Sequence, residues 1–241
     1  MEAPAAATRM RFALNPALDE EALAAAFQTT GRAIVPDILA RESVEFLHGA
    51  LRERQDWLQV LNSGERVIEL DRAVRAGLAP DQKRALDEAV HAGARYGFQY
   101  RYETVRVPDL AEDRRASSDP LWQFADWWSS GAPMALLRRI TGLPVGFCDA
   151  QATAYSPGDF LTGHDDRVEG KHRLAAYVLS LSPVWRPEWG GLLLFHDEPM
   201  EAVTPTFNRA IVFAVPKMHS VSEVSAAAAY RRYSITGWLR R

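Results

Sequence analysis

The chain has 241 residues, of which 47% are hydrophobic and 24% are charged, proportions that are ordinary for a globular protein. This length fits one sizeable domain or two small ones. The net charge of −3 provides no general attraction to polyanions, so we expect no direct nucleic-acid binding. No run approaches the roughly 18 apolar residues that indicate a membrane span, so we expect no membrane partner.

Cysteine usage and the start of the chain indicate a reducing environment. Cys148 is the only cysteine, which excludes an internal disulfide and a zinc site made of several thiolates. Residues 1–16 lack the continuous apolar stretch of a secretory signal. We therefore expect a cytoplasmic protein with a flexible tail at residues 1–9 and a single domain over residues 10–241.

The first part of the chain carries mainly helical signals, because apolar residues recur there at helical spacing. The apolar stripes are Val44, Leu47 and Leu51; Leu121, Phe124, Ala125 and Trp128; and Leu136, Leu137 and Ile140. Asp119-Pro120 is typical of a helix start, and Gly142 is typical of a helix end. Residues 33–38 and 97–107 have strand-like character instead.

From residue 145 onward, short apolar or aromatic runs alternate with turn signals such as residues 156–159 and 189–191. The strand-like runs cover residues 152–155, 174–181, 192–195, 210–215 and 232–238. This pattern favours a sandwich or jelly roll over a parallel α/β sheet. We predict an all-β core with flanking helices, in which residues 10–144 form a helix-rich support and residues 145–241 carry the main jelly-roll strands.

His164, Asp166 and His219 are the most informative residues of the chain. Two imidazoles and one carboxylate are the ligand set of a three-ligand Fe(II) site with open coordination positions. Residues i and i+2 share one side of an extended chain, so His164 and Asp166 can approach one ion while Asp165 points away. His219 must come from a later strand. The His-x-Asp spacing is common by itself, and the alternative is a loop histidine beside solvated acids.

Arg232 begins a strand-like run and shares its face with Ser234 and Thr236. A guanidinium binds a carboxylate through two parallel hydrogen bonds, as the far end of a dicarboxylate would require. The alternative is that Arg231 and Arg232 are exposed charges at a strand edge. The upstream histidines favour the carboxylate-binding interpretation.

In these residues the sequence resembles the prolyl hydroxylase group of iron- and 2-oxoglutarate-dependent dioxygenases. Within that group it is most similar to the catalytic domain of the eukaryotic ribosomal-protein prolyl hydroxylases. The resembling stretches are His164-Asp165-Asp166 with Glu169-Gly170, Trp185 with Gly190-Gly191, Asn208, Val212-Phe213, residues 219–224 and residues 234–238. The resemblance implies a double-stranded β-helix, another name for this kind of jelly roll, over residues 145–241.

The resemblance also implies a set of cofactors and the residues that hold them. Fe(II) would be bound by His164, Asp166 and His219, and 2-oxoglutarate would chelate the metal. Arg232 would pair with the distal carboxylate of 2-oxoglutarate, and Tyr155 would donate a hydrogen bond to 2-oxoglutarate. O2 would be the second cosubstrate, with ascorbate as a candidate reductant.

Two tyrosine positions leave alternatives open. Tyr155 could be a core aromatic residue instead of a 2-oxoglutarate contact. Many relatives carry a tyrosine where this chain has Ser180, so one contact to 2-oxoglutarate is either lost or made by the smaller hydroxyl. Tyr177 lies nearby, but its position in the strand-like run predicts that it faces the other side.

The implied reaction is hydroxylation of an unactivated C–H bond with release of succinate and CO2. A prolyl residue of a protein or peptide is the first candidate substrate, including a ribosomal protein. The alternatives are a free amino acid or other small molecule, and a non-catalytic jelly-roll module that binds a metal or a partner. Aromatic residues of the loop at 185–189 could touch the substrate or pack on the barrel edge. The similar eukaryotic proteins carry a second, non-catalytic domain, which we do not expect here.

Overall fold

The computed structural model describes residues 10–64 and 66–241, and the predicted tail at residues 1–9 lies outside the described residues. The helices are α1 Glu20–Thr30, α2 Arg41–Glu53, α3 Arg72–Gly77, α4 Pro80–Tyr96, α5 Ala111–Ala116, α6 Pro120–Trp128 and α7 Gly131–Thr141. The first strands are β1 Arg32–Val35, β2 Leu58–Ser63, β3 Arg66–Asp71, β4 Tyr100–Arg106, β5 Phe147–Cys148, β6 Gln151–Tyr155 and β7 Phe160–His164. The later strands are β8 Arg173–Ser180, β9 Leu193–Phe195, β10 Glu201–Val203, β11 Arg209–Ala214, β12 His219–Val221 and β13 Arg232–Arg240. Among the described helices, none is both long and apolar enough to cross a membrane.

The strands form one curled antiparallel sheet. Its order is β1-β11-β8-β13-β6-β4-β7-β12-β9-β10, while β2 joins β4 and carries β3, and β5 pairs with β13. Apolar side chains of β9 and β12 pack against those of β8 and β11, so the far end of the sheet folds over its middle. This curled arrangement is the double-stranded β-helix predicted from the sequence, and the fold class is confirmed.

Successive residues of the central strands face two different compartments. On β13, Ile235 and Leu239 belong to the core beneath the helices, whereas Arg232 and Trp238 line a cavity on the other face. Tyr177 packs on Trp128 of α6 with ring centroids 5.5 Å apart, on the helix-covered side, as its position in the strand predicts. The same strands therefore build both the core and the cavity wall.

The three predicted apolar stripes lie on α2, α6 and α7 and are buried. The Asp119 carboxylate caps α6 by accepting a hydrogen bond from the backbone N–H of Leu121 at 2.8 Å, and it also accepts two from Arg54. Gly142 ends α7 with a left-handed φ of 68°, which glycine adopts without steric strain. Local sequence signals therefore predict these helices correctly.

The first part of the chain contains more strands than the sequence indicated. The hairpin of β2 and β3 extends the sheet from β4, and neither of its strands was predicted. β3 has no fully buried residue, so it carries only a weak hydrophobic alternation. α4 was also missed, because Val90 is its only fully buried residue and the neighbouring Leu86 and Ala94 pack on the core only in part. Residues 10–144 thus provide strands of the sheet as well as helical support.

Glu103 on β4 joins distant parts of the chain through a buried ion cluster. Its carboxylate is 1% exposed and accepts hydrogen bonds from Arg72 and Arg75 of α3, at 3.1 and 2.7 Å. A third arginine, Arg231, lies immediately before β13 and donates to the same carboxylate at 2.9 Å. This cluster ties α3 to the sheet and fixes the chain where β13 begins.

Replacing Glu103 should destabilise the fold strongly, because Glu103→Gln leaves three arginines without their shared carboxylate. We expect the free energy of unfolding in urea to fall by about 3 kcal/mol. Glu69→Gln is the control, since Glu69 is 45% exposed and lies 3.6 Å from its partner Arg106. That change should stay below about 0.5 kcal/mol. Equal losses in both variants would contradict the importance of the Glu103 cluster.

Candidate active site

Two histidines lie side by side because β7 and β12 pair antiparallel. His164 ends β7, His219 begins β12, and the two residues are register partners. Their ring centroids are 4.2 Å apart. His219 is buried and packs edge-on against Phe213, with ring centroids 4.7 Å apart. The predicted meeting of His164 with a histidine from a later strand is therefore present.

Asp166 reaches the histidines through a left-handed backbone conformation beyond the end of β7. The sequence had predicted instead that it shares one side of an extended strand with His164. Asp166 lies two residues beyond the end of β7 and has a left-handed φ of 63°. Such a backbone is uncommon for residues other than glycine, although aspartate tolerates it better than most. Asp165 accepts a hydrogen bond from the backbone N–H of Arg167 at 3.0 Å, so its carboxylate stays outside the histidine group.

The histidine tautomers are set by the backbone. Nδ1 of His164 lies 3.0 Å from the carbonyl oxygen of Thr162, and Nδ1 of His219 lies 2.7 Å from that of Lys217. A carbonyl can only accept, so each Nδ1 carries the proton and each Nε2 keeps its lone pair. Both Nε2 atoms face Asp166, at 3.4 Å from Oδ1 and 3.5 Å from Oδ2.

These three residues fit a metal ion. Their potential ligand atoms all lie within 4.8 Å of one another. Two ligand atoms that each lie about 2.1 Å from one ion, at right angles, are about 3 Å apart. The two Nε2 atoms lie at a similar distance from the Asp166 oxygens, 3.4 and 3.5 Å. One carboxylate and two imidazoles leave open positions on an octahedral ion such as Fe(II).

The electrostatics of the group favour metal-binding protonation states. Burial would raise the pKa of Asp166, but its contacts with His164 and His219 hold that pKa below its usual value. Burial, followed by the neighbouring His164, lowers the pKa of His219. An ionised carboxylate beside neutral imidazoles is the state that binds a divalent cation.

Arg173 and Trp238 hold Asp166 from behind, and neither was identified from the sequence. Nη1 of Arg173 donates to the backbone carbonyl of Asp166 at 3.0 Å. The guanidinium lies over the Trp238 ring, 3.4 Å from its centroid. This cation–π contact and the hydrogen bond brace the left-handed turn that aims the carboxylate. Strand alternation could have indicated that Trp238 lines the cavity, because an even number of residues separates it from Arg232 on β13.

A cavity of about 450 Å³ opens from the histidine–aspartate group into the barrel. Arg232 and Tyr155 line its wall. Arg232 is 1% exposed, and within the described residues its Nε and Nη1 have no hydrogen-bond partner. Its guanidinium lies 5.0 Å from the centroid of the Tyr155 ring. The alternative of an exposed edge charge is therefore wrong for Arg232, and Arg231 is itself paired with Glu103.

The Gly190-Gly191 turn packs on the stem of this arginine. Gly191 has a left-handed φ of 61°, and a Cβ there would lie 3.0 Å from Cδ of Arg232. Trp185 donates its indole N–H to the carbonyl of Gly190 at 2.9 Å, and Trp189 is buried beside it. The aromatic residues of this loop therefore pack on the barrel edge, the alternative to direct substrate contact.

Tyr155 and Ser180 occupy different depths. Tyr155 stacks on Tyr102 with ring centroids 5.1 Å apart, and both line the cavity. Ser180 is fully buried beyond the cavity lining, in register with Ser234 of β13. Its hydroxyl has no hydrogen-bond partner among the described residues. Contacts of Tyr155 and Ser180 with a cosubstrate stay predictions.

Comparison with known proteins identifies related sequences and folds. Residues 150–240 match the sequence profile of the 2OG-Fe(II) oxygenase superfamily. Over 118 residues the chain is 31% identical to prolyl 3-hydroxylase sudestada1 of Drosophila melanogaster, covering 42% of this chain. The matched segment spans 22% of that protein's length.

Solved structures share the fold. A prolyl-4-hydroxylase of Pseudomonas putida superposes with a TM-score of 0.60 at 18% identity, covering 92% of this chain and 98% of the other. A Trichoplax adhaerens prolyl hydroxylase, in complex with a hypoxia inducible factor oxygen degradation domain peptide fragment, gives 0.55 at 16% identity. That match covers 91% of this chain and 87% of the other.

Removing the Arg173 brace should weaken metal binding. In Arg173→Gln, the turn at Asp166 loses its cation–π contact and its charged hydrogen-bond donor, so we expect Co(II) affinity to fall about tenfold. Co(II) absorption, titrated without 2-oxoglutarate, measures this affinity. Arg167→Gln is the control, because the Arg167 side chain is exposed and makes no hydrogen bond to Asp166. Equal affinities in all three proteins would contradict the positioning role of Arg173.

Proposed function

We propose that this chain, whose residues 150–240 match the 2OG-Fe(II) oxygenase superfamily, hydroxylates an unactivated C–H bond of a prolyl residue in a protein or peptide. Enzymes of this superfamily use Fe(II), 2-oxoglutarate and O2. The observation that carries the proposal is one cavity that contains both the His164–Asp166–His219 group and the unpaired Arg232.

His164, Asp166 and His219 would hold the metal at one end of the cavity. When bound, Fe(II) with 2-oxoglutarate and O2 supplies the oxidation of the C–H bond, and succinate and CO2 are released. The protein's own part is to orient and to exclude water. Thr162 and Lys217 fix the imidazoles through their carbonyls, and the three ligands leave coordination positions for the other reactants.

Arg232 would bind the distal carboxylate of 2-oxoglutarate. A buried guanidinium without a partner is unfavourable, since arginine stays charged even where burial lowers its pKa. A carboxylate in the cavity would pair with it and satisfy its free N–H groups. Tyr155, whose ring lies beside the guanidinium, would add a hydroxyl donor. The tyrosine contact that many relatives make would be either lost here or replaced by the Ser180 hydroxyl, which has no hydrogen-bond partner among the described residues.

The mouth of the cavity supports a prolyl substrate. Tyr100, Tyr102 and Trp238 line it, and Phe98 and Val168 add apolar side chains that are about half exposed. An apolar pyrrolidine ring would pack on such aromatic surfaces. Exposed apolar residues at a rim are also typical of contact with a macromolecule. The name of the Drosophila relative and the peptide complex of the Trichoplax enzyme support the same substrate class.

Cosubstrate binding can be measured without turnover. Anaerobic Fe(II) and 2-oxoglutarate should produce a visible charge-transfer band in the wild-type protein. In Arg232→Ala the band should need at least about 30-fold more 2-oxoglutarate, because a buried charge-assisted contact is lost. Fe(II) affinity should be unchanged. Arg139→Ala, which removes a 64% exposed arginine of α7 outside the cavity, is the matched control and should keep wild-type 2-oxoglutarate dependence.

The band also tests the activity itself. A wild-type protein that gives neither the band nor succinate in air, with ascorbate as the proposed reductant, would leave only the non-catalytic module. An unchanged 2-oxoglutarate requirement in Arg232→Ala would contradict the role of this arginine.

The substrate class can be tested in the source proteome. Mass spectrometry of cells with and without the gene should find one-oxygen gains on particular prolines only when the gene is present. Ribosomal proteins are the first place to look, given the resemblance to their hydroxylases. An active protein with no such prolines would favour the alternative, a free amino acid or other small molecule.

A further inference from the structure

A second cavity continues from the one lined by His164, Asp166 and His219, along the outside of the sheet. It has a volume of about 360 Å³ and lies beside β4, β6 and the end of β13. The two cavities share Tyr102, Gln151, Arg173 and Trp238 as lining residues. We call the second cavity the side groove. Any chain lying in it would pass directly into the space in front of Asp166.

The side groove is rich in cations although the whole chain has a net charge of −3. Arg106, Lys171, Arg173 and Arg240 line it, against Asp109 and Asp149. Arg167 adds a further exposed cation beside the cavity that is lined by His164, Asp166 and His219. A concentration of one charge along a groove attracts ligands of the opposite charge.

The two carboxylates are largely occupied by a single arginine. Arg240 lies 2.6 Å from Asp109 and 3.4 Å from Asp149. The backbone N–H of Trp238 also donates to Asp149, and burial raises the pKa of that carboxyl group. Both carboxylates are therefore already paired with a cation of the groove itself.

The other cations remain available. Within the described residues, Lys171 has no ion pair, and Arg106 has only Glu69 at 3.6 Å, with both side chains exposed. Arg173 uses Nη1 for the carbonyl of Asp166, but its Nε is buried without a hydrogen-bond partner. An unsatisfied buried donor between two cavities favours an acceptor supplied by a ligand.

We propose that the side groove binds an acidic segment next to the target residue of a polypeptide substrate, an inference that rests on the proposed function. Aspartate or glutamate side chains of that segment would pair with Arg106 and Lys171. A nucleic acid is disfavoured, because its phosphates repeat at every nucleotide and need an extended basic surface, whereas the chain has a net charge of −3. The acidic segment selects substrates and sets the direction in which they cross the metal site.

Peptide binding tests this selection without requiring turnover. Three labelled peptides with the same central proline carry glutamate, glutamine or lysine flanks, and anisotropy measures their binding to the protein with Mn(II) and 2-oxoglutarate. The acidic peptide should bind about tenfold more tightly than the neutral one, and the basic one most weakly. High salt should remove most of the difference, because it screens exposed charges.

Charge reversal locates the effect. The double variant Arg106→Glu with Lys171→Glu should lose the preference for the acidic peptide while keeping wild-type uncoupled succinate formation. Lys83→Glu with Arg84→Glu changes the net charge equally on α4, outside both cavities, and should keep the preference.

Several results would overturn the proposal. These are equal binding of the three peptides, no binding of any of them, an unchanged preference in the side-groove variant, or tighter binding of a single-stranded RNA. If the wild-type protein shows no charge-transfer band but still prefers the acidic peptide, the oxygenase activity is rejected and acidic-peptide binding in the side groove stands. A band without any peptide discrimination would reject only the groove.

Discussion

The antiparallel pairing of β7 with β12 is the contact on which the site depends. It places His164 opposite His219 within a hydrogen-bonded ladder, where the backbone has little freedom to separate them. Each imidazole also donates to the carbonyl two residues before it in the chain, at Thr162 and at Lys217. A single local geometry is thus used twice, and it leaves both Nε2 atoms facing the same point. Only Asp166 has to be brought in by other means, through a left-handed turn braced by Arg173.

β13 connects this site to the stability of the whole fold. Its alternate residues belong to two compartments, so Ile235 is part of the helix-covered core while Arg232 faces the cavity. Arg231, one residue earlier, is bound to Glu103 and fixes the beginning of the strand. The position of the cavity arginine is therefore set by packing on one side and by an ion cluster on the other. A shift of one residue in the register would exchange the two faces.

Two buried charged side chains differ in whether the protein supplies an oppositely charged partner. Glu103 is surrounded by three arginines, so its burial is compensated within the protein. Arg232 is equally buried, yet no acidic partner for it lies among the described residues. An uncompensated charge reduces the free energy of unfolding, and a ligand that pairs with it restores that loss on binding. This asymmetry is the reason for assigning Glu103 a structural role and for proposing that Arg232 binds a ligand.

Local sequence patterns determined much of this protein. Periodicity and capping residues predicted α2, α6 and α7 and the strands β6, β8, β9, β11 and β13, because those signals depend only on near neighbours. The His-x-Asp spacing, His219 and Arg232 predicted the members of the site. Weakly buried elements such as β3 and α4 left no comparable pattern.

Only the tertiary structure decided how those members meet. Pairing across the sheet, not spacing along the chain, brought His219 to His164. Burial without a partner separated Arg232 from its neighbour Arg231, although the two look alike in sequence. The roles of Arg173 and of the side groove depend on contacts between strands far apart in the chain. Such contacts are set by packing over the whole sheet, and no short stretch of sequence encodes them.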